Sequence, residues 1–408
     1  MTTQAPGDSQ ASPSASVEHD PLEVATLFAR KIATRERHVC FLLGAGASRS
    51  SGLPDMAGLK LGVQQKLRVE IEGASTSPPA GGSADGITAA ALSMALETRS
   101  IEEALTWLRK IAALLDNSTD TVGGLSQSEA KALDKKLSTL IMTAITESTY
   151  DITPFLDLAK WLRSTSYSRP VEIFTLNYDL LMEFAFEKLG MPYFDGFTGV
   201  YEGRFRPDLV DGTTSAGAEV IPNFFHRLWK MHGSVSWTRN TDGDIVRRGN
   251  SEGAADVAAI HPSESKYEES RRAPFVILQD RLRRSLFEPE TLLVTAGYSF
   301  GDDHINEVIF DAIQARPRSE FVFTHHSEIP KKAEDMALGW RNVTLLGPTF
   351  GIVGGEKGNW TSAEHTKKRV NVWDHDNFQL GDFSRLSAFL SESAPSEASA
   401  AVQREEGA

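Results

Sequence analysis

The chain of 408 residues contains a single cysteine, Cys40. One thiol excludes an internal disulfide and any metal site built on several cysteines. Its place inside the apolar run Val39–Leu43 makes it a buried structural thiol. Long apolar runs are missing too, none approaching the roughly 18 residues that a membrane helix needs. The first twenty residues are polar and rich in Ser, Ala and Pro, without the basic start and apolar core of a secretory signal. The expected location is therefore cytoplasmic, with no membrane contact. Positive charge is in deficit: 42 Lys and Arg face 55 Asp and Glu, for a net charge of -13. Such a surface repels phosphate backbones unless a basic face is segregated from the rest, so direct nucleic-acid binding is not expected. The phosphate-loop pattern G-x-x-x-x-G-K-[ST] is absent, as is any recognisable nucleic-acid module.

What the chain has is enough apolar content, 40% hydrophobic, to bury a large core. Met1 to Asp20 and Ser391 to Ala408 have too little of it and read as flexible tails, leaving one domain over 21–390. Within that span, 60–150 carries helical periods such as Ile101, Leu105, Leu108, Ala112 and Leu115, read as an inserted helical layer. It is interrupted by a loop at Gly73–Gly82, a stretch no regular element is expected to tolerate. Residues 238–270, charged and glycine-rich without a period, read as a mobile excursion.

The most informative stretch is His38 to Asp55. Val39–Leu43 shows no alternation, as expected of a parallel strand covered on both faces, and it ends in Gly44-Ala45-Gly46-Ala47-Ser48. Glycines there allow unusual φ values and let a diphosphate approach the main chain. The dehydrogenase fingerprint G-x-G-x-x-G fails, because its third glycine position is Arg49. A tight strand-to-helix connection is the alternative reading of the same glycines.

The same grammar recurs. Val171–Leu176 is a strand ending in Asn177-Tyr178-Asp179, Leu228–Met231 leads into His232-Gly233-Ser234, and Thr291–Ala296 closes in Gly297-Tyr298-Ser299-Phe300-Gly301-Asp302-Asp303. Glu320–Thr324 and Val343–Leu346 add two short strands. The order strand, polar turn, helix predicts an α/β fold with a Rossmann-like parallel sheet, helices on both faces, and a ligand crevice along the carboxyl edge. Asn177, Asp179 and His232 are site candidates. Against this stand local roles: Asp179 as a helix cap, Asn177 as a turn residue, His232 as a packed or capping residue. Imidazole does suit a general base near neutral pH.

Taken in order, Gly44–Ser48 with Gly52–Asp55, Thr175–Asp179, Met231–Ser234 and Gly297–Asp302 resemble the sirtuin-like family. The variants TLNYD, KMHGS and GYSFGD are similar to the bacterial sirtuin-like NAD hydrolases of anti-phage defence. The resemblance implies that Gly44, Ala45, Gly46, Ser48, Pro54 and Asp55 hold the diphosphate and nicotinamide ribose. Asn177 and Asp179 would face the nicotinamide side, with Asn177 and His232 catalytic and His232 the base. Gly297 and Ser299 would bind adenosine ribose or phosphate. NAD is then a substrate, and no metal is implied. Protein deacylases of the family share a four-cysteine zinc module, which one cysteine cannot build, so no zinc module is expected and deacylation loses ground. The stand-alone size resembles members paired with a ring-shaped HerA-type ATPase, while others work with short Argonaute proteins; a homo-oligomer is implied. Three functions stay open: NAD hydrolase, non-catalytic sensor of NAD or ADP-ribose, and protein deacylase. If Gly46 is glycine for the ligand's sake, a Cβ there is expected to weaken NAD binding with little cost in stability.

Overall fold

A computed structural model describes residues 17–76, 84–116, 118–165, 167–212, 220–249, 273–361 and 371–393. In the strand His38–Leu43 all six residues are buried. Alternation sends Val39, Phe41 and Leu43 to one face of the sheet and Cys40 and Leu42 to the other. Two apolar cores result, one on each side, which is why this strand reads as uninterrupted.

In chain order the first elements are β1 (Glu18–His19), α1 (Pro21–Ile32), β2 (His38–Leu43) and α2 (Ala45–Arg49). The helical layer follows as α3 (Met56–Thr76), α4 (Ala84–Thr98), α5 (Ile101–Leu114) and α6 (Gln127–Thr146). Then come α7 (Thr153–Ser164), β3 (Glu172–Thr175), α8 (Leu181–Lys188), β4 (Tyr193–Phe194), β5 (Phe197–Thr198), β6 (Gly203–Phe205) and α9 (Pro207–Val210). Next are β7 (His226–Lys230), β8 (Trp237–Arg239), β9 (Ile245–Arg247), α10 (Phe275–Phe287), β10 (Thr291–Ala296) and α11 (Asp303–Ala315). The chain continues through β11 (Glu320–Thr324), α12 (Lys331–Gly339), β12 (Val343–Leu346), β13 (Phe350–Val353) and β14 (Glu356–Trp360). It closes with β15 (Trp373–Asp374), β16 (Asn377–Phe378) and α13 (Phe383–Ser393).

Ten of these strands form one sheet in the order β1-β14-β13-β12-β11-β10-β2-β3-β7-β4. Its centre, β12 through β4, is parallel, and only the β12–β13–β14 meander runs antiparallel. This is the expected Rossmann-like α/β sheet with an antiparallel edge. Helices α1, α7, α8 and α13 bury one face, through residues such as Phe28, Phe155, Met182 and Phe389. Helices α10, α11 and α12 bury the other, through Leu282, Ile309 and Ala337. The helical layer has its own core around Val63, Leu92, Leu105 and Leu137, and touches the sheet domain at Val235, Tyr178 and Leu180. Capping boxes at Ser100 with Glu103 and Ser126 with Glu129 start α5 and α6. Among the described residues no helix is long and apolar enough to cross a membrane.

Several sequence readings need correction. Glu18 and His19 are not tail but pair with Asn359 and Trp360 at the sheet edge, while 1–16 lie outside the described residues. Ser391–Ser393 belong to α13, and 394–408 are likewise outside. Gly73–Thr76 continue α3 instead of opening a loop, and 77–83 are not described. The stretch read as a mobile excursion begins with a hairpin, β8–β9, inside a four-stranded sheet ordered β5-β6-β9-β8. Trp237 and Val246 are buried there, two apolar anchors hidden among charges, and Asn240 Oδ1 accepts the Asp242 and Asp244 N–H groups to set the turn. Residues 250–272 lie outside the described residues.

At the amino end of the central strands, Glu172 on β3 is completely buried. Arg281 donates to both of its oxygens, each at 2.8 Å, while Ser285 Oγ and Trp229 Nε1 donate at 2.7 Å. His38 Nε2 lies 2.9 Å from Oε1, and His38 Nδ1 lies 3.2 Å from the Ser285 carbonyl. A carbonyl and a carboxylate both accept, so both ring nitrogens donate and His38 is an imidazolium. Burial opposes that charge, yet Cys40 and Glu172 beside it raise the His38 pKa well above 6.5. Burial also disfavours the Glu172 carboxylate, but Arg281 and His38 hold its pKa well below the usual range.

The linkage follows from these directions. His38 is raised on folding, so its contribution is complete below its unfolded pKa of 6.5 and is lost as pH rises through the folded value. Glu172 is lowered, so its contribution is complete above 4.5 and is lost as pH falls toward the folded value. In urea unfolding, His38→Gln should be less stable than wild type at about pH 6, and the gap should shrink steadily toward about pH 9. A gap that stays constant with pH would mean that His38 is not charged in the fold.

Candidate active site

The chain runs from β2 to β3 and β7 on one side, and from β10 to β11 and β12 on the other. Strand succession therefore reverses between β2 and β10, and a crevice opens outside their carboxyl ends, where open α/β sheets take ligands. At that point the two following turns touch. Gly44 N–H donates to the Ala296 carbonyl at 3.0 Å, and Gly46 N–H to the Gly297 carbonyl at 2.9 Å. A Cβ on Gly44 would lie 2.4 Å from Gly297 O, and one on Gly46 2.7 Å from Gly297 Cα. Neither Gly44 nor Gly46 has a positive φ; Gly44 is extended at φ -99 and begins the short helix α2. Of the two readings of these glycines, the close contact accounts for the tight connection: backbone already fills the space a Cβ on Gly46 would take, so the small stability cost expected for a Cβ there is corrected.

The cleft at this edge has a volume of about 980 Å³, near the upper end of ordinary small-molecule sites. Of the residues singled out from sequence, Gly44, Ala45, Gly46, Asp55, Asn177, His232, Gly297 and Ser299 line it. Ser48, Pro54 and Asp179 do not. Ser48 and Asp179 stand behind Asn177 instead, and their arrangement fixes which end of that amide faces out.

Asn177 Nδ2 lies 2.9 Å from the Gly44 carbonyl and 2.7 Å from Ser48 Oγ. A carbonyl only accepts, so the NH2 end must point there and both of its hydrogens are used. Ser48 Oγ in turn donates to Asp179 Oδ2 at 2.6 Å. Asn177 thus presents its carbonyl oxygen Oδ1, an acceptor, to the cleft. Asp179 Oδ1 accepts the Leu181 N–H at 3.0 Å, so the local role and the site role read from sequence coexist in one carboxylate. The Asn177 N–H goes to Thr175 Oγ1 at 3.1 Å.

Across the cleft, His232 follows β7 with its side chain 21% exposed, and its Nε2 lies 3.0 Å from Asp302 Oδ2. The other Asp302 oxygen caps α11 by accepting the His304 and Ile305 N–H groups. A carboxylate partner on Nε2 leaves Nδ1 as the nitrogen with a lone pair to offer. The loop carrying Asp302 is anchored by Phe300, buried among Tyr298, Phe323 and His325 with a left-handed φ of 56. That conformation costs roughly 1–2 kcal/mol in a residue with Cβ, offset by burial of the ring.

Sequence reasoning missed four contributors. Asp302 stood in the turn after β10 without a site role of its own; it caps the following helix with one oxygen and keeps the second for His232. Arg49, paired with Asp55 at 3.1 Å, is the one Lys or Arg among the described lining residues. His325, after β11, is pushed down to about 4 by burial, with its Nε2 buried and unpartnered among the described residues. It offers a neutral imidazole. Asp382, which caps α13 through the Ser384 N–H, closes the far end. No local pattern announces the last two.

A three-residue group, His38, Cys40 and Glu172, brings its donor atoms within 4.8 Å of one another. It lies at the opposite sheet edge, and the Arg281 guanidinium already occupies both Glu172 oxygens, so the donor set is committed to protein partners.

Residues 171–344 match the family model of a SIR2-like domain. The match supports a sirtuin-like family, whose SIR2-like domains are generally NAD-dependent. The SIR2-like segment holds Asn177, Asp179, His232, Gly297, Ser299 and Asp302. Gly44–Asp55 lie before it and join the site through the β2–β10 pairing. No curated protein matches the chain.

If the turn–turn contact governs Gly46, then Gly46→Ala should lower unfolding stability of the free protein by about 1–3 kcal/mol. Gly62→Ala on α3, where a Cβ meets nothing within 4 Å, should instead gain about 0.5–1 kcal/mol. Equal stabilities for Gly46→Ala and wild type in urea titration would sink the close-contact account.

Proposed function

We propose that this protein hydrolyses NAD at the nicotinamide–ribose bond, with water as acceptor, giving nicotinamide, ADP-ribose and a proton. One observation carries the reading: an outward acceptor on Asn177 and a carboxylate-backed imidazole at His232 line one cleft at the switch point of a SIR2-like sheet. Nicotinamide leaves as a neutral molecule from a cationic ring nitrogen, so the site has no leaving group to protonate. It needs a positioned water, a base and dipoles that tolerate positive charge on the ribose. Asn177 Oδ1 accepts a hydrogen bond from the water or a ribose hydroxyl, and His232 Nδ1 takes the proton. Asp302 holds the imidazolium that forms. Asp55, Asp302, Asp303, Glu328 and Asp382 make the lining acidic, which favours the positive charge that develops on the ribose as nicotinamide leaves, and in this reading Arg49 meets the diphosphate.

The sequence resemblance extends the proposal to NAD depletion in anti-phage defence, in assembly with a HerA-type ring ATPase or a short Argonaute. The test is incubation of the protein, alone and assembled with a candidate partner, with NAD, followed by chromatography. Nicotinamide and ADP-ribose are expected. A deacylated peptide with O-acetyl-ADP-ribose would assign deacylation, and NAD bound without turnover in the assembled complex would assign a sensor. His232→Ala should lose about 100-fold or more in kcat with a normal melting temperature. Asn177→Ala should lose turnover too, but also about 1–2 kcal/mol of stability, since Gly44 and Ser48 lose a shared donor.

A further inference from the structure

Lys230 ends β7 and is 2% exposed, an unusual burial for a lysine. Its Nζ donates to the Asp179 main-chain carbonyl and lies 3.2 Å from Glu183 Oε1. Glu183, on α8, is itself largely buried, with Oε2 unpartnered among the described residues. A buried pair with such incomplete satisfaction contributes little net stability, and apolar replacements of similar size often do as well. The location suggests another role. Asp179 is the residue whose carboxylate takes the Ser48 hydroxyl hydrogen, which makes Ser48 Oγ accept from Asn177 Nδ2 and turns Asn177 Oδ1 to the cleft.

We propose that Lys230 is a positioning residue that tethers Asp179 by its carbonyl and so maintains the acceptor polarity of Asn177. The inference rests on the NAD-hydrolase reading for its kinetic consequence but not for its structural one. The segment Leu176–Leu180 is held from three other sides: Leu176 N–H donates to the Leu43 carbonyl, Asn177 N–H to Thr175 Oγ1, and Val235 N–H to the Tyr178 carbonyl. Among the described residues, it is Lys230 that holds the Asp179 carbonyl to β7. Without the tether, the Asp179 carboxylate is held to its own turn by the Leu181 N–H and can shift from Ser48; the hydroxyl hydrogen can then turn toward Asn177, and of the two acceptors that set the amide's direction the Gly44 carbonyl is left. Glu183 supplies the charge that keeps an ammonium in this place; burial pushes its own carboxyl upward while Lys230 pulls the other way.

The deciding variant removes both charges at once: Lys230→Met with Glu183→Met. If the pair only neutralises itself, the double variant behaves as wild type. If Lys230 positions Asp179, the double variant melts within a few degrees of wild type, while kcat for NAD falls about tenfold or more and KM changes less than about twofold. Wild-type kcat in the double variant would overturn the proposal. Should that protein be insoluble, Lys230→Met with Glu183→Gln takes its place, and failure of both to fold would assign the pair to the core and overturn it equally. A crystal structure of the double variant separates this inference from the reading it rests on. A rotated Asn177 amide or a displaced Asp179 carboxylate supports the tether even if the wild-type protein turns over no NAD. An unchanged Asn177–Ser48–Asp179 chain refutes it even if NAD hydrolysis is established.

Discussion

The contact on which the rest of this structure depends is between two pieces of main chain, the turn after β2 and the turn after β10. Their approach requires that Gly44, Gly46 and Gly297 have no Cβ, because each added atom would fall within 3 Å of the facing backbone. Parallel pairing of β2 with β10 brings the turns together, and their hydrogen bonds lock them. Every side chain of the cleft is measured from this joint. Asn177 bonds to Gly44, Ser48 rides on α2, and Ser299 and Asp302 follow Gly297.

Behind the joint lies a polar chain in which direction matters more than strength. Each bond from Gly44 and Ser48 to Asn177 and Asp179 contributes only about 1 kcal/mol. Together they decide whether an acceptor or a donor faces the ligand, a difference that a reaction with a water nucleophile would sense strongly. His232 is organised by the same means from the other wall, with Asp302 fixing one ring nitrogen and helix α11 fixing Asp302. The buried ionic network at Glu172 occupies the opposite sheet edge, and its energetic role is separate: it ties β2, β3, β7 and α10 together and couples stability to pH.

The residues themselves determined much of this. Uninterrupted apolar runs with polar carboxyl ends specify buried parallel strands, because a strand covered on both faces has no solvent side to mark; β10, β11 and β12 have the limits read from sequence. Asn177 and His232 were visible because each follows such a run at the edge where ligands collect. The single cysteine set limits on metal chemistry that no fold could alter.

Tertiary structure alone decided which atoms of those residues face the cleft. Whether Asn177 shows its oxygen or its nitrogen depends on a carbonyl 133 positions away, and the purpose of Gly46 depends on a turn that follows another strand. Asp302 and His232 are 70 positions apart, while Lys230 finds Asp179 51 positions earlier. Local sequence carries propensity and periodicity, which act over a few residues. Pairing across a sheet joins segments that have no local reason to know of one another, and hydrogen-bond direction is set only when both partners are in place.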